Sequence, residues 1–167
     1  MTIPEYRATI PKHRKHEEAD LHLSFCKWVK KNHPQDQFVR HEREQRRSGF
    51  MQGLFKAYNS DLDKLPDFEA LITNEFATGL YFEFKKPGTK LTLKDNVTIK
   101  PEYANQYSLH CYLWSIGRAV WFVSDLDVAK TLYTQFKQGF IEDRQVFKLP
   151  VSKSDQSADE FFNERGL

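Results

Sequence analysis

The stretch Leu80-Tyr81-Phe82-Glu83-Phe84-Lys85 decides the fold of this chain. Its aromatic run is typical of a buried strand. Because the side chains of a strand alternate between two faces, Glu83 and Lys85 share one face, while Phe82 and Phe84 share the other. Two charged groups on one face of an otherwise apolar strand cost free energy unless they have partners or a function. The pattern therefore predicts a strand that carries chemistry.

A second extended segment precedes this strand. Residues 65–72 begin Leu-Pro-Asp, and the turn residues within 73–79 separate them from the strand, so the two segments predict a β-hairpin. On the neighbouring strand, the Asp67 carboxylate would converge with that of Glu83, and the Lys85 ammonium would lie beside them. Mg²⁺ prefers one or two carboxylates with waters and substrate phosphate. We therefore expect a divalent-cation site in which the lysine orients metal-bound water or stabilises charge at phosphorus.

The flanking sequence predicts a mixed α/β domain. The expected elements are a helix from 16 to about 32, strands over 37–40, 65–72 and 80–85, a helix from 101 to about 116, a strand over 119–123 and a helix to about 137. Pro101 suits a first helical position and Gly117 a helix end. Ser124 with Asp127 resembles a capping box for the last helix. The order is αβββαβα, a mixed central sheet flanked by helices.

Length and composition favour one domain. The chain has 167 residues, of which 14% are aromatic, so it is too aromatic for a disordered chain. We expect a basic arm over 1–15, a single domain over 16–150 and a polar tail over 151–167 with a short helix near 158–164. The chain shows neither a membrane-spanning apolar run nor a secretory signal, and Cys26 and Cys111 suggest reduced thiols of a cytoplasmic protein. The net charge of +2 neither requires nor excludes nucleic acid as a partner.

Asp67 followed by Glu83-x-Lys85 matches the PD-(D/E)xK nuclease signature. Further matches stand in a fixed order along residues 17 to 137: Glu18, Pro66, Asp67, Glu83, Lys85, Gln106 and Gly117. In this order the chain resembles the virus-type replication-repair nucleases (VRR-NUC), in particular the small stand-alone proteins of phages and prophages. The resemblance implies a restriction-endonuclease-like core. Two departures are Leu65, where the family often has glycine, and the long charged segment 40–64.

The resemblance implies a role for each motif residue. Asp67, Glu83 and the backbone carbonyl of Phe84 resemble the family's metal ligands, and Lys85 resembles its catalytic lysine. The residues themselves leave alternatives open. Asp67 also suits a turn after proline. Glu83 and Lys85 also suit an ion pair on an exposed face.

Two residues outside the hairpin complete the implied site. Glu18 resembles the helix glutamate that reaches the metal directly or through water, and Gln106 resembles the glutamine that closes the site. Alternatively, Glu18 is a first-turn acid that favours the helix dipole, and Glu17 is the functional acid. Gln106 also suits an ordinary polar position of a helix.

Basic residues near the motif suggest contacts to phosphates. The candidates are Lys86, Lys90, Arg40, Arg43, Arg46 and Arg47. The alternative is a solvated surface paired with nearby glutamates. A zinc site built on His22 and Cys26 lacks a second Cys/His pair at finger-like spacing, so we expect a core thiol and a helix-face histidine.

The expected function is metal-dependent endonucleolytic hydrolysis of DNA with Mg²⁺, for which Mn²⁺ would substitute. By resemblance, the product carries a 5′-phosphate, the substrate is branched DNA such as a four-way junction, and the protein is a cytoplasmic homodimer in a bacterial host. A modest sequence hint for the dimer is a set of apolar residues: Ala129, Leu132, Tyr133, Phe136, Phe140, Ile141 and Phe147. The alternatives are a non-catalytic nucleic-acid- or partner-binding protein on a nuclease fold, and a defence or restriction-type nuclease.

Overall fold

The structure is a computed structural model that describes residues 17–41 and 65–151. The helices and strands are α1 (Glu17–Asn32), β1 (Phe38–Arg40), β2 (Phe68–Ala70), β3 (Leu80–Phe84), a 3₁₀ helix (Pro101–Tyr103), α2 (Ala104–Ser115), β4 (Ala119–Val123) and α3 (Leu126–Lys137). Arm residues 1–15, the charged segment 42–64 and the tail from residue 152 lie outside the described residues, and so do Arg43, Arg46 and Arg47.

The four strands form one mixed sheet in the order β1-β2-β3-β4. The pairs β1/β2 and β2/β3 are antiparallel, whereas β3 and β4 are parallel. A parallel pair needs a crossover connection, and α2 supplies it. Phe68 lies opposite Phe82 in the β2/β3 register, which continues the alternation of faces predicted for the hairpin.

The sheet is covered by helices on both faces. On the first, called the α1/α3 face, Phe68, Phe82 and Phe84 pack with Phe25 of α1 and Tyr133 of α3. The opposite face is the α2 face. There, Leu113 and Tyr107 of α2 pack with Val120 and Phe122 of β4. All residues of β3 and β4 are buried, because each strand has a packed layer on both sides.

Most element boundaries predicted from sequence are confirmed, and two are corrected. Strand β4 occupies the predicted residues, and Gly117 has the positive φ of 79° expected after a helix end. The segment 65–72 is paired as a strand over only three residues. The stretch after Pro101 begins as a 3₁₀ helix before it becomes α2. Within the described residues, no helix is both long enough and apolar enough to cross a membrane.

The capping residue of α3 differs from the predicted one. The side chain of Asp125, rather than that of Ser124, accepts hydrogen bonds from the backbone N–H groups of Asp127 and Val128 at 2.8 and 3.0 Å. Asp127 therefore donates through its backbone at the second helical position, and the helix begins one residue later than the proposed box required. The carboxylate of Asp125 also lies at the positive end of the helix dipole.

We expect Asp125→Ala to lower the free energy of unfolding by about 1 kcal/mol, because it removes two bonds to otherwise unpaired N–H groups. Urea unfolding followed by circular dichroism measures the change. Ser124→Ala is the matched control and should change the free energy by less than about 0.5 kcal/mol. Equal losses in the two variants would contradict this assignment of the cap.

Candidate active site

Glu83 and Lys85 form a buried ion pair on the α2 face. Their side chains are 2% and 7% exposed, and Lys85 Nζ lies 2.7 Å from Glu83 Oε1. Phe82 and Phe84 point to the other face, as the alternation predicted. An exposed surface pair is therefore excluded. A buried pair of this kind is stable only when further hydrogen bonds offset its desolvation.

Gln106 supplies those hydrogen bonds. Its Nε2 donates to Glu83 Oε1 at 2.6 Å, and its Oε1 accepts from Lys85 Nζ at 2.8 Å. Each of the three side chains thus bonds to the other two in a closed ring. Gln106 lies in the first turn of α2, so the helix that connects β3 to β4 also supplies hydrogen bonds to the buried pair. The alternative of an ordinary polar helix residue is excluded by this contact.

Asp67 lies beside this ring. It is the residue before β2, it is 7% exposed, and its Oδ2 accepts a hydrogen bond from the backbone N–H of Phe84 at 3.0 Å. Its backbone carbonyl accepts from the N–H of His41 at 2.9 Å, which extends the β1/β2 ladder. Extending the Phe68–Phe82 register by one residue sets Asp67 opposite Glu83 on the α2 face. The two acids of the motif therefore share one face of the sheet.

Aromatic groups surround the lysine. The Tyr103 and Phe122 ring centroids lie 5.1 and 5.7 Å from Lys85 Nζ, within reach of a cation–π interaction. His110 packs against Phe122 at a centroid distance of 4.2 Å. Burial, followed by the charge of Lys85, lowers the pKa of His110 to about 3. The imidazole is consequently neutral at physiological pH, so the positive charge in this group of side chains is that of Lys85.

The structure separates the two candidate glutamates of α1. Glu17 Oε2 lies 3.3 Å from Lys86 Nζ, and both side chains are more than 40% exposed, so this pair is a weak surface contact. Glu18 is partly buried, and its carboxylate is one of the charges that raise the pKa of Tyr103, after burial and Glu102. The ring of Tyr103 in turn lies over Lys85. Of the two glutamates, Glu18 is thus the one whose charge acts on Tyr103.

Sequence analysis missed a second polar cluster on the same face. Glu69 Oε1 accepts from Tyr81 Oη at 2.5 Å, and Glu69 Oε2 lies 3.1 Å from His41 Nε2. Burial and the Glu69 carboxylate raise the pKa of Tyr81 to about 12. Glu69 follows Asp67 by two residues, so strand alternation was a signal that could have found it. The partners could not be found in this way, because they lie on two other strands.

The described candidates for phosphate contact occupy different surroundings. Arg40 and Lys90 are exposed, and Lys86 is paired with Glu17. The positive charge of Arg40 also acts on His22, where it adds to the larger effect of burial in lowering the pKa. Arg40, which acts on His22, and Lys86, which pairs with Glu17, thus have different surroundings.

The donor set suits a hard divalent cation. Asp67, Glu83 and the carbonyl of Phe84 offer oxygen atoms only, as Mg²⁺ prefers. Within residues 17–41 and 65–151, no group of three or more His, Cys, Asp and Glu side chains forms a metal-binding cluster. Two carboxylates still satisfy Mg²⁺ when waters and substrate phosphate complete its shell.

The residues considered for zinc belong to the core. His22 stacks on Phe84 at 4.8 Å, and burial is the main cause that lowers the pKa of His22 to about 4. Burial also raises the pKa of the Cys26 thiol to about 11, so the thiolate form needed for zinc is disfavoured.

The apolar residues that suggested a dimer are mostly used within the described domain. Ala129, Tyr133 and Phe136 are buried in the core, whereas Phe140 is 64% exposed. The other members pack partly against the same layers: Leu132, Ile141 and Phe147. Packing within the described domain thus explains most of the apolar residues that suggested a dimer. The expectation of a homodimer therefore depends on the family resemblance.

Comparisons with known proteins support the fold. A solved structure described as a "VRR_NUC domain protein" is 17% identical in sequence, with a TM-score of 0.54 over 76% of this chain and 93% of that chain. No family model and no curated protein matches the sequence. At this identity the likeness shows the fold alone, so the chain shares the fold of that VRR_NUC domain protein.

We expect His110 to make the domain sensitive to acid. The folded pKa of about 3 lies below the unfolded value of about 6.5, so the unfolded state binds a proton first as the pH falls. The free energy of unfolding then decreases from about pH 6.5 toward pH 3. Between pH 7 and pH 5 this single group should contribute a loss of about 2 kcal/mol.

Urea unfolding of the protein and of His110→Asn at pH 7 and pH 5 measures this effect. Each protein is compared with itself, so a loss of packing in the variant cancels. The loss between the two pH values should be smaller in the variant by about 2 kcal/mol. Equal losses would show that His110 is not kept neutral by the fold.

Proposed function

We propose that this protein is a metal-dependent DNA nuclease that hydrolyses phosphodiester bonds. The observation that carries the proposal is the buried arrangement of Asp67, Glu83, Lys85 and Gln106 on one face of the sheet. Buried charged groups beyond the needs of folding are a mark of functional sites. The shared VRR-NUC fold supports the same reaction class.

Asp67, Glu83 and the carbonyl of Phe84 would hold one Mg²⁺ or Mn²⁺. A bound divalent ion supplies positive charge to the scissile phosphate and lowers the pKa of a coordinated water. The hydrogen bond from the Phe84 N–H fixes one Asp67 oxygen, and the bonds from Gln106 and Lys85 fix the Glu83 carboxylate. Such restraint of ligand orientation raises the affinity of a metal site.

Lys85 would stabilise the negative charge that develops at phosphorus. An ammonium group has three N–H donors, and Glu83 and Gln106 each accept one. We assign the third to a phosphate oxygen or to the attacking water. Because Gln106 and Glu83 hold Nζ in a fixed position, the donor does not need to reorganise during the reaction, which is the condition for effective electrostatic catalysis.

Glu18 would act at the margin of the site. It lies in the first turn of α1, and its charge reaches Tyr103 above Lys85. We assign it to a metal-bound water rather than to direct coordination, in keeping with two carboxylates for the ion itself.

The preferred substrate is proposed to be branched DNA, and the assembly a homodimer. A twofold axis would present two sites to the two strands of a symmetric junction. Both statements rest on the family resemblance.

Incubation with end-labelled DNA tests the proposed reaction. A four-way junction, a flap, a linear duplex and a single strand are each incubated with Mg²⁺, Mn²⁺ or EDTA. We expect cleavage with either metal and none with EDTA, fastest on the junction. Lys85→Ala should reduce the rate about 10²-fold or more while DNA binding stays within a few-fold, because the lysine is assigned to transition-state charge.

Lys85→Gln is the control for folding, since its amide can still donate a hydrogen bond to buried Glu83, whereas Lys85→Ala removes every donor from this position. Circular dichroism and a thermal melt establish that both variants are folded. Equal loss of binding and cutting in folded Lys85→Gln would make the lysine a phosphate anchor. Absence of cleavage in every lane of the wild-type protein would contradict the nuclease proposal.

Glu18→Gln should reduce cleavage about 10- to 100-fold, as expected for a residue that positions metal-bound water. Its melting temperature without metal should be near that of wild type, and excess Mn²⁺ should restore only part of the rate. A metal titration of cleavage separates weaker binding from slower chemistry.

Glu17→Gln is the matched control, since it removes the same charge one residue away. It loses only the exposed contact with Lys86 and should cleave at nearly the wild-type rate. Full activity in Glu18→Gln would make Glu18 a structural first-turn acid, and loss of activity confined to Glu17→Gln would identify Glu17 as the functional acid.

A further inference from the structure

We propose that a lysine-bearing ribbon beside the site binds the sugar-phosphate backbone of DNA without regard to base sequence. The basic ribbon consists of residues 90–100 and 147–149. The inference rests on the proposed function, because it names the surface that would hold the substrate. It is nevertheless tested by binding alone.

Within residues 90–100 of the basic ribbon, residues 91–93 and 98–100 form a small antiparallel pair. Thr92 and Ile99 are bridge partners. The Leu93 N–H donates to the Thr98 carbonyl, and the Lys100 N–H donates to the Leu91 carbonyl, both at 2.8 Å. Backbone bonds on both sides of the bridge thus fix the spacing of this segment.

Residues 147–149 of the ribbon come from near the end of the described residues and add to this pair. The N–H of Ile99 donates to the carbonyl of Lys148 at 2.9 Å, and the N–H of Lys148 donates to the carbonyl of Val97 at 3.0 Å. This parallel bridge sets Lys148 opposite Thr98, two residues before Lys100.

The tip of the ribbon is held by Asp95. Its carboxylate accepts from the N–H groups of Val97 and Thr98 and from the Thr98 hydroxyl. These hydrogen bonds, the hydroxyl first, lower the pKa of Asp95 to about 2. The one acidic group of the ribbon is therefore engaged in holding the turn.

An apolar anchor fixes the ribbon to the wall of the site. Ile99 is fully buried against Tyr107 and Phe122, and Phe147 packs on the same cluster. The Phe147 N–H also donates to Tyr107 Oη at 2.9 Å. Since Phe122 lies 5.7 Å from Lys85 Nζ, a single layer of side chains separates the ribbon's anchor from the proposed catalytic lysine.

The ribbon carries a net positive charge. It holds Lys90, Lys94, Lys100 and Lys148 against the single acid Asp95, a net charge of +3, whereas the whole chain has +2. None of these four lysines forms an ion pair within the described residues. Lysines elsewhere do so, such as Lys130 with Asp127 and Lys137 with Asp36.

Lysine ammonium groups are point charges that suit phosphate oxygens, and the ribbon has no arginine to read guanine by a bidentate contact. Contacts to phosphate position a protein on DNA but carry no sequence information. The chemistry thus favours a backbone-tracking surface, which suits a nuclease without base specificity better than a restriction-type enzyme.

The test is DNA binding under conditions that prevent cleavage. Fluorescence anisotropy with a labelled duplex in EDTA is recorded over a range of salt concentrations for wild type and for a variant with Lys→Gln at the four ribbon positions. The slope of log K against log salt should become shallower by about 0.9 for each lost contact, about 3 to 4 in total. The loss should be the same for two duplexes of unrelated sequence.

A matched control removes four lysines from the helices of the opposite face: Lys27, Lys30, Lys31 and Lys130. Its slope should stay close to that of wild type, because the net charge changes equally but the ribbon is intact. Equal slopes for wild type and the ribbon variant, or equal losses in the two variants, would overturn the proposal. A loss that depends on base sequence would overturn its sequence-independent part.

The outcomes separate this inference from the nuclease proposal. Wild-type protein that binds DNA through the ribbon but cleaves no substrate with Mg²⁺ or Mn²⁺ would contradict the proposed reaction and support the ribbon. Cleavage with an unchanged salt slope in the ribbon variant would do the reverse. Circular dichroism of both variants establishes that the fold is retained.

Discussion

The buried pair of Glu83 and Lys85 is the constraint on which the rest of the structure depends. Both groups sit at the end of a strand whose residues are all buried, so water does not offset their desolvation. Gln106 bonds to each of them, which requires the first turn of α2 to lie directly over this end of β3. The position of the crossover helix is thus set by a polar contact as well as by the apolar layer of Leu113 and Tyr107.

Much of the fold could be predicted from short sequence patterns, because each of these patterns is compatible with only one local structure. The run 119–123 lacks polar positions because β4 is covered on both faces, and Gly117 takes a positive φ that other residues disfavour. The cap of α3 shows where local signals fail. Ser124 and Asp125 are both good capping residues in sequence, and only the path of the backbone after β4 selects Asp125. The pairing of β2 over three residues likewise depends on its neighbours.

The candidate site was also predicted only in part from the sequence. Alternation along β3 was sufficient to put Glu83 and Lys85 on one face, and the hairpin brought Asp67 to them. Glu69, Tyr81 and His41 were missed because their contacts span up to 28 positions and depend on the register of three strands. The apolar residues of α3 were assigned in part to a dimer because periodicity identifies a buried face without saying what covers it. Tyr133 and Phe136 are covered by the core of the same chain.

The proposed site and the basic ribbon have net charges of opposite sign, which suit them to bind different groups. With both acids ionised, Asp67, Glu83 and Lys85 carry a formal charge of −1, and neutral His110 adds none. Such a site would attract a cation and repel a phosphate, so in the proposed mechanism a divalent ion would reverse its sign before a phosphate approaches. The ribbon's net +3 acts over a longer range, because exposed charges attract across about 8 to 10 Å at physiological salt. In this proposal the two functions are separate: the buried site would bind the metal, and the exposed ribbon would attract the DNA.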